Sequence, residues 1–273
     1  MLGAIIGDIA GSRFEWNNHR SKEFDLFGND DIARDACFRT DDSVMTIAVA
    51  DAIMKIGTDD EPAFKEELID SMHKFGRADM DAGYGGHFYR WLLHKEREPY
   101  NSFGNGSAMR CAPAGWAAES LEDAIRIGRL TAEVTHNHPE GIKGAECTAA
   151  AIYLARTGSS KEEIKLYIEN NYYPDAFKKS IAEIRPTYEF NETCQETVPQ
   201  ALVAFIESTD FEDSIKTAVS VGGDSDTLAC ITGAVAEAFY GIPQDIAEKA
   251  LQYLEGEELE VTKKFVSRFC SYK

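Results

Sequence analysis

The chain has 273 residues, 44% hydrophobic and 27% charged, with 28 basic against 47 acidic side chains and a formal net charge of −19. That length allows one large domain or two small ones, and the apolar fraction supplies a sizeable core and argues against disorder. So acidic a field repels nucleic acid and anionic membrane, no basic patch overrides it, and no run approaches the roughly 18 apolar residues of a membrane span.

The N-terminal run Met1-Leu2-Gly3-Ala4-Ile5-Ile6-Gly7-Asp8 lacks a basic start and carries an acid, so it does not read as a signal peptide. Glycines 3, 7 and 11 fall on one face of a helix, where a second soluble helix can approach closely. Residues 43–56 are apolar at helical spacing and stop at Gly57. Pro62 suits a first helical turn, and Gly76 closes that helix. Ser120 to Asp123 is a capping box with the shorter acid, and Ser160 to Glu163 is a full one. Pro139 opens an alanine-rich helix over 141–156 that ends at Gly158. Further helices are expected over 210–221, 227–240, 245–254 and 257–269. Strand-like alternation is nearly absent, so about a dozen helices and an all-α domain are expected. The least patterned stretch, 170–198, reads as a surface connection within one domain rather than a linker, because the apolar helices on both sides need partners. The six cysteines (37, 111, 147, 194, 230, 270) include no C-x-x-C pair and read as small apolar residues of a reducing, cytoplasmic compartment.

Four clusters carry chemistry. Thr40-Asp41-Asp42-Ser43 sits directly before an apolar helix, and so does Gly222-Gly223-Asp224-Ser225-Asp226-Thr227. Alone, each reads as a helix cap, with acids favoured by the helix dipole. Together they offer two pairs of carboxylates and two threonine hydroxyls. If the helices pack side by side, four carboxylates converge and repel, and divalent cations relieve that repulsion. All-oxygen donors favour Mg²⁺, Mn²⁺ or Ca²⁺. Two metals sharing such a set is a catalytic arrangement. Gly104-Asn105-Gly106-Ser107-Ala108-Met109-Arg110 is a backbone-exposing loop entering a helix, suited to diphosphate or to a plain N-cap turn. Phe103 before it either stacks on a base or sits in the core. In Thr135-His136-Asn137-His138-Pro139 the histidines lack supporting zinc ligands, and His138 reads as a satisfied pre-helix residue.

These clusters, with Gly7-Asp8-Ile9-Ala10-Gly11-Ser12-Arg13-Phe14-Glu15 and with Gly141 and Gly144, resemble the ordered signature blocks of the ADP-ribosylglycohydrolase family, which contains the dinitrogenase-reductase-activating glycohydrolase and the ADP-ribosylhydrolases. The resemblance runs from residue 3 to about residue 243. It implies a compact, orthogonal all-α bundle, here one domain over residues 1–273, with two Mg²⁺ or Mn²⁺ ions in the active site. It assigns Glu15, Thr40, Asp41, Asp42, Asp224, Asp226 and Thr227 as metal ligands. Asn105, Gly106, Ser107, Ala108, Met109 and Arg110 become the loop that holds the diphosphate and distal ribose. His136 falls near the ribose and phosphate, and Phe103 near the adenosine. The block Asp79-Met80-Asp81-Ala82-Gly83-Tyr84-Gly85-Gly86 departs from bacterial relatives, which carry Tyr-Pro in place of Asp79-Met80. In arginine-specific members an acid in this region faces the leaving guanidinium. Asp81 is the candidate here, and a loop-capping acid is the other reading of it.

The implied reaction is hydrolysis of an N- or O-glycosidic bond at C1″ of ADP-ribose, which frees ADP-ribose from a modified target, expected to be a protein. Asp41 or Asp42 is the expected base, and Glu15 is expected to gate substrate entry. The resemblance leaves the linkage, arginine, serine or other, open. The rival reading is a catalytically silent ADP-ribose-binding module, and the intact ligand set argues against it. A prenyl-synthase-like diphosphate enzyme would need a second Asp-Asp-x-x-Asp pair that the chain lacks. Neither a membrane nor a stable nucleic-acid partner is expected.

Overall fold

The computed structural model describes residues 1–29 and 36–270. Among them lie fifteen α-helices: α1 (Leu2–Ser12), α2 (Asp41–Ile56), α3 (Glu61–Ala78), α4 (Gly86–His94), α5 (Gly106–Met109), α6 (Ala112–Ala117), α7 (Leu121–Glu133), α8 (Pro139–Thr157), α9 (Lys161–Asn171), α10 (Ile181–Ile184), α11 (Cys194–Glu207), α12 (Phe211–Val219), α13 (Ser225–Tyr240), α14 (Gln244–Ala250) and α15 (Gly256–Phe269). The described residues contain no strand, only isolated bridges at Gly28–Ala36 and Gly104–Thr193. The fold is all-α, as the periodicity predicts. None of these helices is long and apolar enough to cross a membrane.

The helices at the centre are α1, α2 and α13. Every residue of α1 is buried, as are Asp42–Ile53 of α2 and Ser225–Glu237 of α13. Such all-round burial demands thin contacts, and the glycines of α1 provide one. A Cβ on Gly3 would lie 2.2 Å from the Gly233 carbonyl oxygen. On Gly7 it would lie 2.0 Å from the Ala229 oxygen, and on Gly11 2.5 Å from the Asp226 Cα. The expected soluble helix contact is therefore real and backbone-to-backbone. Its pairing order, 3 with 233, 7 with 229 and 11 with 226, makes the helices antiparallel. The start of α13 consequently sits against the end of α1.

Local signals set most helix ends. Ser160 and Glu163 form the full capping box of α9. Ser120 caps Asp123, but the Asp123 carboxylate reaches the Glu119 N–H at 3.0 Å instead of closing a box, because it is one methylene shorter than Glu. Ser180 and Glu183 form a second full box, at the start of α10. Gly76 does not close α3: it lies inside the helix, where a Cβ would meet Leu92 at 2.8 Å, so it serves the contact with α4. The 170–198 stretch buries Tyr173, Ile181, Ile184 and Tyr188 in the same apolar cluster as α1 and α13. All six cysteines are buried free thiols.

The backbone contact yields a direct test. Replacing Gly7 by Ala forces α1 off α13 and should cost about 2 kcal/mol or more, the range of overpacking. Gly86→Ala, whose Cβ meets nothing within 4 Å, should be neutral within about 0.5 kcal/mol. Urea unfolding of the two variants beside the parent measures both.

Candidate metal centre and ligand cavity

The ends of α1, α2 and α13 meet at one place. Asp8, on the last turns of α1, is fully buried and organises the start of α2. Its carboxylate accepts the Thr40 N–H at 2.9 Å, the Thr40 hydroxyl at 2.7 Å, the Ser43 N–H at 3.0 Å and the Ser43 hydroxyl. Thr40 is the N-cap of α2, so Asp41 and Asp42 occupy its first turn rather than capping it. From α13, the Thr227 hydroxyl donates to Asp42 Oδ2 at 3.2 Å. Asp224 stands at the N-cap of α13 without a side-chain capping bond. It accepts the Asn105 amide at 2.6 Å instead. Gly222 and Gly223 approach it at φ 81° and 70°, backbone that glycine adopts without strain.

Two carboxylate triads result. Asp8, Asp42 and Asp226 bring one oxygen each within 4.8 Å of one another, and so do Glu15, Asp224 and Asp226. Asp226 belongs to both. Asp42 Oδ1 and Asp226 Oδ1 are buried with no hydrogen-bond partner. Such orphaned acceptors in an all-oxygen set suit a hard divalent cation. The expected ligands Glu15, Asp42, Asp224 and Asp226 are brought together here, with Thr40 and Thr227 bonded to Asp42. Asp41 lines the cavity but belongs to neither triad. Asp8 is the residue that sequence reasoning missed. It reads as one acid inside an apolar helix, and only its i-to-distant contacts reveal it.

Burial and mutual repulsion push these acids up. Burial first, then Asp8, Asp224 and Glu15, raise Asp41 well above the usual range. Asp42 is raised by burial, then Asp8 and Asp41, and Asp226 by burial, then Asp224 and Asp42. Glu15 is pushed to about 7 by burial, then Asp224 and Glu192, with the neighbouring Trp16 side chain as a partial offset. A cluster so placed is starved of positive charge.

All the triad acids except Asp8 line a cavity of about 640 Å³ that Phe103, Asn105, Gly106, Met109, Arg110 and His136 also line. Ser107 and Ala108 do not line it. The Ser107 hydroxyl is committed to the Gly141 carbonyl at 2.7 Å, and Ala108 is buried beneath the loop. Arg110 is also committed inward, to the Thr131 carbonyl at 2.8 Å and the Thr135 hydroxyl at 2.7 Å. Burial pulls its guanidinium down to about 10. Thr135 in turn lies 2.8 Å from His136 Nδ1. Burial, then Arg110, holds His136 well below its usual pKa, so the ring is neutral. With the Thr135 proton assigned to Nδ1, the ring proton sits on Nε2, on the Gly106 side. His138 Nδ1 caps α8 at the Glu140 N–H, the pre-helix role expected of it.

Asp81 is exposed on the cavity wall. Its neighbour Asp79 pairs with Arg39 at 2.6 Å, and Arg39 also pairs with Glu258 of α15 at 2.7 Å. That tie fixes the residue just before Thr40. Trp16, Phe38, His87, Tyr100 and Glu192 also line the cavity, and none of them stands out in the sequence, since isolated aromatics carry no spacing signal.

Comparison with known proteins agrees with this architecture. The family model described as ADP-ribosylglycohydrolase matches residues 1–271. The ADP-ribosylhydrolase ARH3 of Homo sapiens is 27% identical, over 94% of this chain and 88% of its own length. The ADP-ribosylarginine hydrolase Tri1 of Pseudomonas putida (strain GB-1) is 26% identical, over 91% of this chain and 72% of its own. A solved ADP-ribosylglycohydrolase-related protein complex shares the fold at a TM-score of 0.72 and 23% identity, covering 97% of this chain and 96% of that one. With its profile matched over nearly the whole sequence, the chain belongs to the ADP-ribosylglycohydrolase family.

Proposed function

We propose that this protein is a metal-dependent hydrolase that cleaves the glycosidic bond at C1″ of ADP-ribose and releases ADP-ribose from a modified protein. The observation that carries the reading is the pair of carboxylate triads sharing Asp226, all but Asp8 lining one cavity together with Phe103, Asn105, Gly106, Met109 and Arg110. Similarity to ADP-ribosylhydrolases supports it.

Asp8, Asp42 and Asp226 would hold one Mg²⁺ or Mn²⁺, and Glu15, Asp224 and Asp226 a second, with Thr40 and Thr227 as further oxygen donors. Bound there, the ions supply Lewis acidity and a template for the ribose diol. The rest falls to the chain. Asn105 fixes Asp224. The exposed N–H groups of the Gly106 turn and the His136 Nε2–H offer donors to the diphosphate and ribose. Phe103, 43% exposed in the lining of the same cavity, offers its ring to the adenosine. Asp41, outside both triads, is the carboxylate left to accept a proton from the attacking water. Water oxygen bonds to C1″, the C1″–N or C1″–O bond breaks through an oxocarbenium-like state, and the departing atom takes up a proton. Glu15, at the cavity edge beside the exposed Trp16, is placed to gate entry.

The direct test incubates the protein with ADP-ribosyl-arginine and ADP-ribosyl-serine peptides, with chelator and with Mg²⁺ or Mn²⁺. Free ADP-ribose should appear only with metal. Binding without release under any condition would instead support a silent ADP-ribose-binding module. Asp226→Asn should abolish release and shrink the metal-induced rise in melting temperature, because it removes the carboxylate common to both triads. Equal rises in parent and variant would return Asp226 to helix capping.

Gly106→Val should weaken ADP-ribose binding by tenfold or more, about 1.4 kcal/mol. Even a Cβ at that position lies 3.1 Å from His136 Nε2, so a branched side chain fills the donor site. Calorimetry on the folded variant checks this.

The raised carboxyl pKa values fix a pH dependence. A group whose folded pKa exceeds its unfolded one binds its proton more tightly when folded, so the fold gains stability as pH falls between the two. For Glu15 that window runs from about 7 down to its ordinary 4.5. In chelator, the melting temperature should rise as pH drops from 8 toward 5.5. The stabilisation by added Mg²⁺ should grow in the opposite direction, because metal competes with those protons. A chelator melting temperature that falls over this range would contradict the buried cluster.

A further inference from the structure

Beyond Glu15 the cavity continues onto an aromatic shelf built outside the apolar core. Trp16 lines the cavity and is 77% exposed. One face of its ring stacks on Phe190, with centroids 5.0 Å apart and planes at 20°. The turn that carries it is pinned twice more. Asn18, at φ 49°, accepts the Gly223 N–H at 2.9 Å, and Arg20 donates to the Tyr188 carbonyl at 2.5 Å. Both ties reach segments that carry site residues, Gly223 before Asp224 and Tyr188 before Phe190. Tryptophan ordinarily buries its rings. This one is held open by the Phe190 stack and a braced turn.

The position of the shelf says what lies on it. In the reading proposed above, on which this inference rests, ADP-ribose runs from Phe103 to the two triads. Glu15 closes the second triad, and Trp16 is the next residue. What emerges past C1″ is therefore the target chain. Glu192, exposed beside the shelf, adds a carboxylate whose backbone is fixed by the Asn105 N–H at 2.7 Å. An aromatic face next to a carboxylate suits a cationic side chain, and the net charge of −19 steers basic segments toward it. We infer that Trp16, Phe190 and Glu192 form a subsite for the target polypeptide, which favours a Lys or Arg side chain beside the modified residue.

The test compares steady-state release of ADP-ribose from two peptides that differ only in Lys or Glu beside the modified residue, at constant Mg²⁺ and 0.15 M salt. The parent should show a KM several-fold lower for the Lys peptide. Trp16→Ala should raise that KM about three- to tenfold, the size of one cation–aromatic contact. Its Kd for free ADP-ribose, measured by calorimetry, should be unchanged. Trp16→Phe keeps a ring and loses the indole N–H, so it should restore most of the KM. Glu192→Gln should erase the preference for Lys over Glu. Three results overturn the subsite: no preference in the parent, equal loss of free ADP-ribose affinity in Trp16→Ala, or Trp16→Phe as impaired as Trp16→Ala. The last would mean that something particular to the indole, and not an aromatic face, matters. Failure of the parent to release ADP-ribose from either peptide would remove the hydrolase reading, and the subsite with it. Release by the parent that Trp16→Ala leaves unaltered would remove the subsite alone.

Discussion

Everything at the site depends on two helices touching without side chains between them. Gly3, Gly7 and Gly11 let the α1 backbone lie directly on that of α13, and the antiparallel pairing carries the acids of one helix to those of the other. Asp226 enters against Gly11. Asp8, one residue past Gly7, faces the start of α2 and holds it through Thr40 and Ser43. A side chain of ordinary size at any of the three glycines would separate the helices by ångströms. The triads would then come apart, since their oxygens lie within 4.8 Å of each other only in this packing.

That geometry has an electrostatic consequence. The acids are raised by burial and by one another, and two of their oxygens are left without hydrogen bonds. A protein holds such a cluster only because the surrounding apolar packing is strong enough to oppose it. Core helices buried on every side supply that packing. A cation bound there would turn the repulsion into attraction, so ligand chemistry and folding stability are linked through the same carboxylates. Glu15 differs from the rest: it is only partly buried, at the mouth and next to Trp16, and is the acid most accessible to an arriving substrate.

The cavity combines two kinds of lining: carboxylates, and hydrogen-bond donors and rings held by inward commitments, the two meeting at the Asn105–Asp224 bond. Arg110 is the instructive case. Its Nη2 is committed to Thr131 and Thr135 and so organises the loop and the His136 tautomer, while its buried Nε has no partner and the residue lines the cavity. The Asp79–Arg39–Glu258 chain does similar work on the other side, tying α15 and the end of α3 to the entrance of α2.

Much of this was legible in the sequence. Periodicity and caps give the helices, because a buried helical face and an N-cap are local patterns. The two Asp clusters, the glycine loop and His136 stand out because the motif places several unusual residue types within a few positions. The glycine spacing of α1 announces a close partner, but not which one. Asp8 carries no local mark, since a single acid in an apolar helix has the same spacing whether it is strained or hydrogen-bonded. The roles of Ser107 and Arg110 could not be read either: a loop sequence fixes which groups exist, and packing decides which face inward. Trp16, Phe190 and Glu192 lie far apart in the chain, and only the folded path brings their rings and carboxylate to one rim. The sequence by itself determined the residue chemistry and the helices that carry it. The tertiary structure alone decided which oxygens share a metal-sized space, because that depends on backbone contacts between segments about 200 residues apart.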